Sequence, residues 1–296
     1  MLKVDVADLD CIYLSYDEPK KEEFWARICN LVPWAKRVDG VEGSDAAHKA
    51  CADASDTDRF IVIDGDNIPN KEFFDIVLNI PDELQDCVFR WKAYNDVNGL
   101  MYGNGGLSCW TKDFVYNMKT HENSDGADEN EVEFCYDDKY KAMANVYSTT
   151  YPNQDEFHSW RAGFREGVKM SLNRGTKVQD VANETWWQNY HRLLIWMNVG
   201  MDVVNGEYAI LGAREGCYKV LGTDWDHSQT RDFTILNQLW EEKCFKESPA
   251  IERITHLGQK LQELELPISK QPLDAKQSEF FKTVYINTER VLGRKF

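Results

Sequence analysis

Apolar and aromatic residues in the first part of the chain fall into short runs alternating with stretches of helical spacing. Asp10 to Tyr16 (DCIYLSY) has the pattern of a buried strand that empties into the polar cluster Asp17-Glu18-Pro19. Lys21 to Leu31 places Phe24, Trp25, Ile28 and Leu31 on one helical face, and Pro33 stops the run. Ala35 to Val38 predicts a second strand. Ser44 is placed to cap a helix through Ala46, Ala47, Ala50 and Cys51. Arg59 to Ile63 (RFIVI) is the most strand-like run in the chain. Strand, helix, strand, helix, strand is the order of a parallel sheet with helical crossovers, and such sheets bind ligands beyond the carboxyl ends of their strands. Tyr16-Asp17-Glu18 and Asp64-Gly65-Asp66-Asn67 both fall there.

Cys87 to Tyr94 predicts another strand, followed by Asn98-Gly99 and then by Gly103-Asn104-Gly105-Gly106, too rich in glycine for a regular element. The latter is expected to be a loop whose backbone approaches something closely. His121 to Asp138 is acidic throughout and predicts a solvated loop. Beyond Tyr151 the spacing becomes helical: Glu156 to Leu172, Ala182 to Val199 closed by Gly200, Thr230 to Cys244, Pro249 to Leu266, and Ala275 to Val291. The expected division is an α/β core over residues 1–150 and a mainly helical subdomain over 151–296, closely packed on it.

Composition narrows the picture. At 296 residues with 43% hydrophobic positions the chain can bury a full core without disulfide staples. Its eight cysteines are scattered with no C-x-x-C pair, so reduced, buried thiols are expected rather than a zinc site. The start, MLKVDVADLD, lacks the apolar run of a signal peptide, and no later stretch is long enough to span a membrane; a cytoplasmic protein is expected. A net charge of -16 argues against a general polyanion binder, while leaving room for a local basic face.

The candidate chemistry lies in Asp64-Gly65-Asp66. Two carboxylates where the chain leaves a strand suit a hard divalent cation, which takes one or two carboxylates together with phosphate oxygens and water. Such a cation, Mn²⁺ or Mg²⁺, can neutralise charge developing on a departing diphosphate, and Gly65 lets a bulky ligand approach the backbone. An aspartyl phosphatase would want Thr after the pair, where Asn67 stands, and an EF-hand loop would want Gly where Pro69 stands. A nucleotidyltransferase is not rejected by the motif.

Three segments, SYDEP (Ser15 to Pro19), AKRVDGVEGSDAAHKA (Ala35 to Ala50) and FIVIDGDN (Phe60 to Asn67), resemble the nucleotide-sugar-binding half of GT-A glycosyltransferases. Leu100 to Trp110, His158 to Gly167 and Trp196 to Gly216 are similar to a group of these enzymes encoded by tailed bacteriophages. The resemblance implies a Rossmann-like mixed sheet and a metal held by Asp64 and Asp66, with His158 as the candidate third ligand and His191 and His227 competing for that place. It implies a donor site, for a nucleotide-diphosphate sugar expected to be UDP-linked, at Ser15, Tyr16, Asp17, His48, Lys49, Gly65, Asn104 and Arg214. No Glu-Asp pair of the kind that supplies a catalytic base is present. Candidates for that role are Asp202, Glu122 and Asp155, with Asp137 behind them.

The implied reaction is transfer of glucose, arabinose or a similar sugar to an acceptor hydroxyl, with 5-hydroxymethylcytosine in duplex DNA as the leading acceptor; the base would have to leave the stack. Arg161, Arg165, Lys169 and Arg174, with the less acidic C-terminal helices, are the candidate backbone-contact face. A glycan, a lipid-linked sugar or a protein is the alternative acceptor, and a non-catalytic phage protein that retains the fold is the alternative class.

Overall fold

The computed structural model describes residues 1–103, 106–118, 137–243 and 248–292. Contacts divide the chain into two units: Met1–Asn95 with the later residues up to Tyr151, and Pro152 onward joined by the short excursion Asp96–Leu100.

The first unit contains β1 (Leu2–Asp5), β2 (Asp10–Ser15), α1 (Lys21–Leu31), β3 (Lys36–Asp39), α2 (Ser44–Ala54), β4 (Arg59–Asp64), β5 (Asn67–Pro69), β6 (Val77–Ile80) and β7 (Val88–Asn95). It continues with β8 (Met101–Tyr102), β9 (Leu107–Thr111), α3 (Lys112–Asn117) and β10 (Tyr140–Thr150). Its main sheet has the order β3-β2-β4-β9-β7-β10-β5, with β8 paired to β7. Pairs β3/β2, β2/β4 and β7/β10 are parallel, and β9 runs antiparallel between β4 and β7. This is a mixed α/β architecture compatible with the Rossmann-like class.

Alternation in β4 explains the layers. Ile61 and Ile63 join Tyr13, Phe24, Ile28 and Trp91 in a core on one face; Phe60 and Val62 join Ile12, Cys51, Trp110 and Phe114 on the other. Successive strand residues point to opposite faces, so a stretch of strand covered on both sides must be apolar at every position, as Phe60 to Ile63 (FIVI) is. The central parallel strands therefore end together, and Leu14 stands opposite Asp64 in the β2/β4 register.

The second unit holds α4 (Glu156–Met170), the small hairpin of β11 (Leu172–Asn173) and β12 (Thr176–Lys177), α5 (Val181–Glu184), α6 (Trp187–Trp196) and α7 (Gly206–Gly222). After these come α8 (Phe233–Glu241), α9 (Ala250–Glu263) and α10 (Ala275–Leu292). The pattern over Ala182 to Val199 is two helices broken at Thr185-Trp186, and α6 closes at Met197 rather than at Gly200. Ser44 opens α2 as its first residue; the cap position is Gly43, with no side-chain bond. No helix among the described residues is long and apolar enough to cross a membrane.

Helices α4 and α7 cross at backbone distance. A Cβ on Gly163 or Gly167 would collide with the carbonyl oxygen of Ala209 or Ala213, and one on Gly212 or Gly216 with that of Trp160 or Phe164. Two glycine pairs at four-residue spacing thus make the groove into which each backbone settles. The obstacle is main chain and cannot rotate away. Gly163→Ala is expected to destabilise the protein by about 3 kcal/mol, the cost of overpacking; a urea midpoint unchanged from wild type would refute this account of the crossing.

Candidate functional site

The Asp-Gly-Asp segment is the turn from β4 into β5. It is pinned at three points. The Tyr13 hydroxyl donates to the Gly65 carbonyl at 2.9 Å, the Tyr151 N–H donates to the Asp66 carbonyl at 2.8 Å, and the Thr150 hydroxyl donates to Asp66 Oδ2 at 3.0 Å. Backbone flanks the other carboxylate: the Asp64 N–H donates to the Gly106 carbonyl at 2.7 Å, and a Cβ at Gly106 would overlap the Asp64 side chain. Gly106 is thus the close approach expected of that glycine-rich loop, and what it approaches is a carboxylate.

A third acid completes the group. Glu18 turns back from the loop after β2 so that its carboxyl lies against Gly65, 2.5 Å from where a Cβ would be. Its Oε2 accepts the Tyr16 N–H at 2.7 Å. The space expected for a ligand over Gly65 is therefore taken by Glu18. Burial raises the Glu18 carboxyl above its ordinary value, the Tyr16 N–H pulls it down, and Asp66 raises it again. Asp64 is pushed up to about 7, first by burial and then by the charges of Asp66 and Glu18. The charges of Asp66 and Glu18 bear on the buried Asp64 carboxyl, and that crowding is the electrostatic condition a divalent metal relieves. Among the described residues no ready-made cage of three or more ligands is found. A cation held by one or two carboxylates and otherwise by phosphate and water needs none.

The sign of the linkage is definite. Asp64 ionises in the folded chain near 7 and in the unfolded chain near 3.8, so the folded state holds the extra proton between those values. Stability from this group is complete below about pH 4 and is lost as pH rises through 7. Without metal, Asp64→Asn is expected to stabilise the protein by about 2 kcal/mol at pH 8 and to flatten its stability between pH 4 and 8. Thermal melts across that range check it, and a wild-type curve that already rises toward pH 8 counts against the buried charge.

Other expected donor residues lie around the ends of β2 and β3. Ser15 is buried, donates to Asp39 Oδ1 at 2.7 Å and accepts from Arg37 Nε at 3.1 Å. Lys21 Nζ also donates to Asp39 at 2.8 Å and to the Tyr16 carbonyl at 2.8 Å. Although burial raises the Asp39 carboxyl, Lys21 and Ser15 outweigh it and hold it low. Tyr16 and Asp17 are exposed. His48 and Lys49 bond within α2: His48 Nδ1 meets the Ser44 carbonyl at 2.8 Å with its ring against Trp110, and Lys49 pairs with Asp45 at 2.6 Å.

Several expected residues belong to the helical unit, where the structure gives them other work. Arg214 is fully buried and donates to the carbonyls of Met197, Ile254, Ser269 and Lys270 and to Asn198 Oδ1. Every donor of its fork is committed, so the assignment to a diphosphate is corrected: this guanidinium ties helices together. Asp155 caps α4, accepting from the His158 N–H at 2.7 Å and meeting His158 Nδ1 at 2.8 Å. Asp202 is engaged by Lys282 at 2.5 Å in a mostly buried pair. Asp155 thus serves as the cap of α4, and Asp202 as one half of a mostly buried ion pair. His227 Nε2 meets the Gly175 carbonyl at 2.8 Å. Arg161 and Arg165 stack on the Phe233 ring, and Lys169 pairs with Glu166. Asn104 and Glu122 lie outside the described residues.

In the sequence Glu18 stands only as a member of the Tyr16-Asp17-Glu18 cluster, with no role of its own, and Asp39 is given none. Neither a known family model nor a curated protein matches this chain.

Proposed function

We propose that the protein is a metal-dependent glycosyltransferase of the GT-A type that uses a nucleotide-diphosphate sugar, UDP-linked, in the cytoplasm. The observation that carries this reading is the carboxylate group Glu18, Asp64 and Asp66 at the carboxyl end of β4, with Asp64 pushed up to about 7. Asp64 and Asp66 are the residues to hold Mn²⁺ or Mg²⁺. The metal, when bound, neutralises charge on the departing diphosphate. The chain's own part is positional: Thr150 fixes the Asp66 carboxylate, Tyr13 and Tyr151 fix the turn, and Gly106 flanks Asp64. Exposed Tyr16 can stack on a nucleobase, and Asp17 and Asp39 offer acceptors to ribose hydroxyls.

The acceptor we favour is 5-hydroxymethylcytosine in DNA. Acid is unevenly spread: residues 1–151 have 15 Lys and Arg against 30 Asp and Glu, whereas 152–296 have 19 against 20. A polyanion would meet far less repulsion from the second half. The test is to incubate the protein with Mn²⁺ and a panel of nucleotide sugars, with unmodified DNA, hydroxymethylated DNA or glycans. Mass gain on hydroxymethylated DNA alone is the expected result. Transfer to glycans alone removes the DNA acceptor and keeps the enzyme, and no donor turnover with any acceptor removes the enzyme.

A further inference from the structure

Asn67, the residue after the Asp-Gly-Asp turn, is fully buried, yet neither its side-chain nitrogen nor its side-chain oxygen has a hydrogen-bond partner. Ser148 on β10 is equally covered, and its hydroxyl is also without a partner. The register relates them. Asn67 stands opposite Thr150 and Pro69 opposite Ser148, so Asn67 and Ser148 are diagonal neighbours on one face of the β5/β10 pair. Thr150 is in turn opposite Asn95 of β7, which is also buried. A polar row of Asn95, Thr150 and Asn67, with Ser148 beside it, therefore runs up to Asp66, whose carboxylate Thr150 holds. Buried polar groups without partners are costly and rare in folded proteins, and the Asn67 amide and Ser148 hydroxyl, two of them beside the proposed diphosphate site, call for a ligand.

We infer that Asn67 and Ser148 form a hydroxyl-reading site for the sugar carried by the nucleotide diphosphate, an inference that rests on the function proposed above. The chemistry is complementary. An amide donates to one hydroxyl and accepts from its neighbour, and the serine hydroxyl can do either, so the two suit a vicinal diol on a sugar ring. Both are closed over in the free chain, so a sugar reaches them only where β5, the three-residue end strand that itself carries Asn67, draws back from β10. A site built to bond hydroxyls discriminates strongly against ligands without them.

The experiment compares binding of UDP, UDP-glucose and UDP-arabinose in the presence of Mn²⁺ by calorimetry, for wild type, Asn67→Leu and Ser148→Ala, with a melt of each free protein. Wild type is expected to bind at least one sugar nucleotide about 10-fold more tightly than UDP, the worth of two hydrogen bonds. Asn67→Leu should lose that increment, keep its affinity for UDP, and melt a few degrees higher, because an unsatisfied amide has been replaced by an apolar group of similar size. Ser148→Ala, the milder change, should lose about 3-fold on the sugar nucleotide alone. Unchanged sugar-nucleotide affinity in both variants, or a lower melting temperature for Asn67→Leu, overturns the inference, the amide then being served by buried water. Wild type that binds none of the three ligands overturns it together with the function on which it rests.

Discussion

Asp66→Asn is expected to cut metal-dependent sugar transfer on the order of 10³-fold while leaving the fold intact. The substitution is nearly isosteric, and the amide oxygen can still accept the Thr150 hydroxyl that now bonds Asp66 Oδ2. The Tyr151 N–H reaches the main-chain carbonyl of residue 66 and is untouched. What disappears is one anionic oxygen for the cation. Loss of a charge from the crowded group also relieves Asp64, whose carboxyl is raised in part by Asp66. The variant should therefore melt no lower than wild type without metal, and should lack the stabilisation that Mn²⁺ is expected to confer on wild type. Full metal-dependent turnover by Asp66→Asn, measured as nucleotide release, would remove the central assignment. Lost activity accompanied by lost folding would not support it, so the melt is part of the measurement.

Some of this site was legible in the sequence for a simple reason. A strand covered on both faces has to be apolar at each position, and the point where FIVI gives way to Asp-Gly-Asp-Asn marks its end sharply. The same logic located β2, α1 and β3 to within a residue or so. It failed at β10, where a bulge near Tyr147 breaks the two-residue period and exposed Ala and Asn positions dilute it. It failed again at α7, whose Gly206, Gly212, Gly216 and Gly222 suggest a helix breaker. In the fold Gly212 and Gly216 are required by the crossing of α4. The signal was present as spacing, since Gly163 and Gly167 repeat the same interval. Side-chain partners were the least legible: no pattern distinguishes Glu18, which folds back on Gly65, from Asp17, which faces solvent.

Arg214 separates the two kinds of reading most sharply, and its removal carries the largest expected loss of stability. An arginine in a Gly-Ala-Arg-Glu-Gly segment suggests an anion site, because a guanidinium suits phosphate geometry. In the fold its donors reach four main-chain carbonyls and Asn198 Oδ1, joining α7 to the end of α6, to α9 and to the segment Ser269-Lys270. Burial lowers its pKa to about 10, so it stays cationic at neutral pH. Arg214→Met would leave these acceptors buried without donors at about 1–3 kcal/mol each before relaxation, for a net loss of about 4 kcal/mol or more. Arg214→Lys should fail nearly as badly, because three donors on a point charge cannot replace five in a fork. Urea unfolding followed by tryptophan fluorescence measures both. A phosphate-binding role would give the opposite result: a normal unfolding midpoint, with a raised KM for the nucleotide sugar.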